Sequence, residues 1–393
     1  MTPLFLFSKT RRSNTMQNAK TLLTLLLGLS LQSTPVQAAT YTVTDLGTLG
    51  GTSSSATAIN NSGQVAGHSR TADRTNRAFL FRNGVISDIG VSGSFGSAAT
   101  GINDSGQIVG DNSVTMTASR GFLYSGNGIT EFGTLGGTNS AASAINNATQ
   151  VVGWSNTADE AQHAFIYSDG VMTDLGALGG TSSEASDIND SGQVVGWAQT
   201  ANGEIHAFAY DNATMTDLGT LGGPTSGATG INGRGQVVGY ANVPGELYGH
   251  AFLYDRGVMN DLGSLYGIGS IANDINDSGQ IVGNVFTTGD LEEHAFIYDN
   301  GVMTDLNRLI AANSGWNLVT ALAINDRGQI VGSGFNPQHE SHAFLLTPTA
   351  VPIPSVTYLF ASALLGLGWL GRPRRWSGRS GPDSGCFAVL RLI

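Results

Sequence analysis

One unit, written most clearly at 163–205 as HAFIYSDGVMTDLGALGGTSSEASDINDSGQVVGWAQTANGEI, recurs through almost all of residues 41–347. Its landmark Ile falls at Ile59, Ile102, Ile145, Ile188, Ile231, Ile275 and Ile324, in steps of 43, 43, 43, 43, 44 and 49 residues. Its landmark Phe falls at Phe79, Phe122, Phe165, Phe208, Phe252, Phe296 and Phe344. Seven copies of a unit of this length match the blades of a propeller.

Inside the unit the apolar spacing is never helical. EASDIN and GQVVGW flank the turn Asn189–Gly192 and read as one hairpin; HAFIY and VMTDLG flank Ser168–Gly170 and read as another. Four short strands cannot cover both faces of their own sheet, but seven such sheets packed in a ring can. The expectation is an all-β, seven-bladed β-propeller of four-stranded antiparallel blades. The span opens with a lone fourth strand, YTVTDLG at 41–47, and ends after HAFLL, a third strand without its partner. An N-terminal strand completing the last blade would close the ring and remove both free edges. A linear β-solenoid is the competing arrangement, but its coils use fewer residues. In the propeller phase the tight turns gather on one face and leave little room for a ligand. The Leu-Gly-Gly loops and every variable segment gather on the other.

Charge narrows the partners. Residues 39–350 hold nine Arg, no Lys and 28 acidic residues, a formal charge of −19. Such a surface repels nucleic acid and favours basic partners or solubility. The single cysteine, Cys386, lies outside the repeats, which excludes a disulfide framework and a cysteine metal site.

Both ends read as addresses. Residues 16–38 carry Lys20, an apolar run and Val36-Gln37-Ala38, the parts of a signal peptide cleaved after Ala38, with Met16 a candidate start within 1–38. At 351–375, VPIPSVTYLFASALLGLGWLGRPRR leads from a Pro-bounded start into an apolar run closed by Arg372, Arg374 and Arg375. This segment resembles the PEP-CTERM sorting signal in a variant form: Val351, Pro352 and Pro354 match, and Ile353 stands where Glu is usual. The resemblance implies recognition by an exosortase, with Arg374 and Arg375 as the cytoplasmic stop, transient anchoring in the inner membrane, and removal of the tail. Residues 376–393 form an atypical extension beyond it.

The recurring His163, His206, His250 and His294 each have an acid eleven residues on, at Asp174, Asp217, Asp261 and Asp305. His342 would find Asp45 through the closing strand, and Arg77 with Asp88 and Arg120 with Glu131 replace the pair in the first two repeats. A cation facing a carboxylate across a hairpin is a structural staple. The five His lie in separate repeats, so no metal and no cofactor are expected.

Positions that break the repeat are the ligand candidates. Trp154, Trp197 and Tyr240 follow the Gln-Val-Val-Gly run in consecutive repeats, near the loop acids Glu160, Glu204 and Glu246. Aromatics beside carboxylates suit stacking on sugar rings, and paired acids would also suit glycoside cleavage. The insert at 307–318 adds Trp316, placed to cap the channel. No nucleophile–base, Walker or EF-hand signature occurs.

The recurring HAF with Asp-Leu-Gly and Ile-Asn-Asp-x-Gly-Gln-Val-Val-Gly is similar to the HAF family of extracellular repeats over 41–347. The second repeat departs, with Arg120-Gly121-Phe122 at the HAF position. The resemblance implies an extracellular location and no particular activity. The reading is an exported, cell-surface or matrix-associated, non-enzymatic binding module for carbohydrate or a basic partner. A polysaccharide hydrolase or lyase using loop-face carboxylates is one alternative, and a purely structural surface protein is another.

Overall fold

The computed structural model describes residues 41–349 apart from 91–93, 127, 247 and 288–292. Ala38 of the expected signal peptide and Val351, Pro352, Pro354, Arg374 and Arg375 of the expected sorting tail lie outside the described residues.

The architecture is all-β. Among the described residues the one helical piece is a 3-10 turn at Leu306–Arg308. The fourth repeat shows the plan: Gly179–Ile188, Val194–Thr200, Ile205–Asp211 and Thr214–Asp217 pair in that order as an antiparallel sheet. Its first turn is closed by a hydrogen bond of 3.0 Å from the Gly192 amide to the Asn189 carbonyl, with Gly192 at φ 82°, where a glycine is favoured. Repeats two to six each form a separate four-stranded sheet. The first and last repeats share a larger one, joined by a parallel bridge between Ser53 and Ser341. In that sheet Tyr41–Asp45 lies antiparallel to Ser341–Pro348, from Tyr41 opposite Pro348 to Asp45 opposite Phe344. The lone copy of the fourth strand thus occupies the place that the last repeat leaves vacant.

Packing explains the invariant letters. The first strand of each repeat lies against the first three strands of the repeat before it, and the first repeat does so against the last. The seven landmark Phe are fully buried between sheets, each contributing about 1.5–3 kcal/mol of apolar burial. Phe208 lies opposite Gly196, where an added Cβ would stand 2.0 Å from the Glu184 carbonyl oxygen. Only glycine allows the two inner strands to approach so closely.

The repeated Ser joins neighbouring repeats. The fully buried Ser226 Oγ accepts from the Ala207 amide at 2.9 Å and donates to the Gly219 carbonyl at 2.6 Å. Ser54 makes the same two bonds to Ala343 and Gly47, across the contact of the last repeat with the first.

The repeated Asn does the same at the turn end. Each Oδ1 accepts amides of its own turn, as Asn189 does from Ser191 and Gln193. Each Nδ2 donates to the carbonyl of the next Asn, from Asn60 to Asn103, Asn146, Asn189, Asn232, Asn276 and Asn325 in succession. Asn325 then donates back to Asn60 at 3.0 Å. All seven amides are spent in one cyclic set of bonds.

Candidate functional site

The inner strands carry a second feature. All seven have a register shift just before the landmark Ile, the mark of a β-bulge. The bulged residues, among them Thr57, Thr100, Ser186, Thr229 and Asn273, line a cavity of about 190 Å³ to which every repeat contributes. Thr57, Thr100 and Thr229 each donate to a carbonyl of the following repeat. The residue before Ile is Ala or Gly in five repeats and Asp in the other two, at Asp187 and Asp274.

These two carboxylates face the same cavity. Asp187 accepts the amide of Ile188 at 2.8 Å and that of Ile231, in the next repeat, at 2.9 Å. Asp274 does likewise with Ile275 at 2.7 Å and Ile324 at 2.8 Å. Removal from water, reinforced by the charge of Asp274, pushes the Asp187 carboxyl up to about 7. Burial pushes Asp274 up to about 6, with its backbone bonds opposing. Neither residue is among the candidates read from sequence. The available signal was the break in the repeat, an acid where five copies have Ala or Gly.

Of those candidates, the structure brings Trp197 and Tyr240 together around an acid that was not singled out, Glu184. Glu184 lies opposite Trp197 on adjacent strands and is hydrogen-bonded by the Trp197 side chain and, at 3.0 Å, by Gln162 Nε2. Burial raises the pKa of Glu184, and those two bonds oppose the shift. Burial raises that of the Tyr240 phenol, with the charge of Glu184 adding to it. Trp154 occupies the same position one repeat earlier, half-buried opposite Ala141.

The loop acids are spent locally. Glu160 accepts from the hydroxyl of Thr138 at 2.6 Å. Glu204 and Glu246 stand 3.8 and 3.0 Å from Nε2 of His206 and His250. Trp316 does not cap the channel. Its ring meets Phe344 edge-on at 6.3 Å and borders a cavity with Tyr41, Thr42 and Val43, where the first and last strands meet. Being large and apolar, it is held by the buried cluster there.

Each His meets its acid: His163 with Asp174 and His206 with Asp217 at 2.8 Å, His294 with Asp305 and His342 with Asp45 at 2.9 Å, and His250 with Asp261 at 3.0 Å. Asp305 is the buried one, and hydrogen bonds from His294, Tyr266 and Asn307 outweigh desolvation and hold it below the usual carboxylate range. The expected pair of Arg120 with Glu131 does not form. The longer guanidinium overshoots the place where an imidazole ends and donates to the carbonyls of Ser119 and Thr138, while Glu131 takes the amide of Asn112.

The turn side is also roomier than the tight turns suggested. Between the fourth and fifth repeats it opens a cavity of about 500 Å³.

No family model and no curated protein matches this chain. Among solved structures, TolB from Acinetobacter baumannii aligns with 74% of this chain and 64% of its own, less than two thirds of its length, at 13% identity and a TM-score of 0.44. AofleA from Arthrobotrys oligospora aligns over 67% of this chain and 87% of its own, at 11% identity and a TM-score of 0.42. The Aleuria aurantia lectin, described as a six-bladed propeller with a novel fucose recognition mode, aligns over 80% and 98%, at 11% identity and a TM-score of 0.34.

Proposed function

We propose that residues 41–349 form a seven-bladed β-propeller shut by the strand at 41–45, and that the protein is exported to the cell envelope as a non-enzymatic module that binds surface polysaccharide. The signal-like segment and the PEP-CTERM-like tail support export and sorting by an exosortase. The observation that carries the ligand reading is the cluster of Glu184, Trp197 and Tyr240: two aromatic rings and a fixed carboxylate, in a molecule whose repeated polar side chains are already engaged. Aromatic faces stack on the apolar faces of sugars, and a carboxylate orients hydroxyls. The acidic surface leaves a basic partner as the competing ligand class.

The paired Asp187 and Asp274 favour one further reading, a polysaccharide hydrolase or lyase, because raised carboxyl groups serve as general acids. Against it, both oxygens of each acid are held by backbone amides, and their cavity of about 190 Å³ is smaller than usual ligand pockets. The test is retention of the full chain on immobilised surface polysaccharide, with product length followed in parallel. Trp197→Ala and Tyr240→Ala should each weaken retention at least tenfold, whereas Asp187→Asn should leave retention unchanged. Shortened polysaccharide, with shortening lost in Asp187→Asn, would establish the enzyme instead.

A further inference from the structure

We infer a second ligand site on the turn side, in the 500 Å³ cavity between the fourth and fifth repeats, built for an acidic saccharide. Its volume falls within the range of small-molecule pockets. Its walls are apolar at Leu218 and Val237, and Tyr210 and Tyr254, the same position in successive repeats, stand half-buried at its sides.

Three observations set the chemistry. Arginine is scarce here, nine against 28 acids in residues 39–350, yet Arg234 and Arg256 both border this one cavity; its two acids, Asp211 and Asp255, are engaged by Gln193 and Arg256, which leaves the Arg234 charge unmatched. The fifth repeat alone has Arg in both of its tight turns, where other copies carry mainly Ser, Asn or Asp. Several polar groups are also unspent. Among the described residues the Arg234 guanidinium, the Tyr210 and Tyr254 hydroxyls and the Gln236 amide nitrogen have no hydrogen-bond partner, whereas Gln193 is committed to Asp211 at 3.3 Å. Arg256, at the rim, is only 4.0 Å from Asp255 and 92% exposed, a weak pairing that a ligand carboxylate can displace.

An unpaired guanidinium presents a fork matched to a carboxylate, and two phenol rings with free hydroxyls suit a polyhydroxylated ring. Together they select a uronate-bearing oligosaccharide over a neutral one. The site is separate from the Trp197 cluster, because none of Glu184, Trp197 and Tyr240 lines this cavity.

The experiment titrates the full chain with an oligogalacturonate, its methyl ester and a poly-glutamate peptide of similar charge. The acid form should bind at least tenfold more tightly than the ester, and more tightly than the peptide. Arg234→Ala should remove that preference, Arg234→Lys should restore part of it, and Trp197→Ala should leave it unchanged. Arg234 is exposed, so a circular-dichroism melt matching the parent checks that the fold is kept. Equal binding of acid and ester, an unaltered Arg234→Ala titration, or stronger binding of the peptide would overturn the proposal.

Discussion

Asp187 near the end of a strand and Asn189 at the start of the turn that follows it both reach across to the fifth repeat. The amide of Asn189 donates to the Asn232 carbonyl at 3.1 Å, and the carboxylate of Asp187 accepts the Ile231 amide at 2.9 Å. The first bond is made in all seven repeats and the second in two. A neutral amide can donate and accept at once, so it meets the same need at every turn without bringing charge into the interior. A carboxylate only accepts, and its charge must be desolvated. Repetition therefore marks a need common to every junction, whereas the two acids mark places where the junctions have diverged.

The largest expected effect comes from breaking the repeated bond. Asn189→Ala would leave the turn amides of Ser191 and Gln193 without their partner and take from the Asn232 carbonyl one of its two donors, the other being the Gly235 amide. The expected loss is about 2–4 kcal/mol, measured by denaturant unfolding. Ser226→Ala removes another link of the same junction, between Ala207 and Gly219, and should cost about 1–3 kcal/mol in the same measurement. A smaller loss than for any exposed residue would show that the link is dispensable.

Asp187→Asn sharpens the contrast by making the two positions alike. The folded carboxyl holds its proton up to about 7, whereas the unfolded one releases it near the ordinary 3.8. The contribution of Asp187 to stability should therefore be fullest at the acid end, fall as pH rises from about 4 to 7, and level off above that. The variant should lose less, and the gap between the two profiles should reach on the order of 1–2 kcal/mol by pH 8, because Asp187 keeps part of its exposure to solvent. Parallel profiles would refute the assignment. Smallest of all is His206→Ala, at the exposed outer hairpin, where loss of the Asp217 contact should cost under about 1 kcal/mol and less at high salt.

The strands and their order were legible because alternation and turn residues are local signals. The His–Asp pairs were legible too, since an offset of eleven residues across a tight hairpin fixes who faces whom. What Ser226 and Asn189 do was not, because their partners belong to a different repeat and no local pattern points there. Asp187 was hidden among polar neighbours in EASDIN. Only comparison with the Ala and Gly of other copies singles it out. Glu184 was not legible either, because the partners that hold it, Gln162 and Trp197, lie on other strands. The second repeat misled in another way. Its Arg120 stands at the His position in sequence, but a guanidinium reaches further and finds carbonyls instead of Glu131.

The pairing of Tyr41 with Pro348 has a consequence for how the molecule could be rewired. In the third repeat Ser168 faces Val171, and Asp169-Gly170 bridges them. Thr347 and Thr42 face each other in the same way at the matching position, so an Asp-Gly joint in place of residues 348 and 41 would reproduce a turn that the fold already uses. New ends could then be cut at the Asp169-Gly170 turn, and the Asn and Ser bonds would be untouched. In that sense the molecule has no privileged starting point, and a circularly permuted gene should yield the same ring.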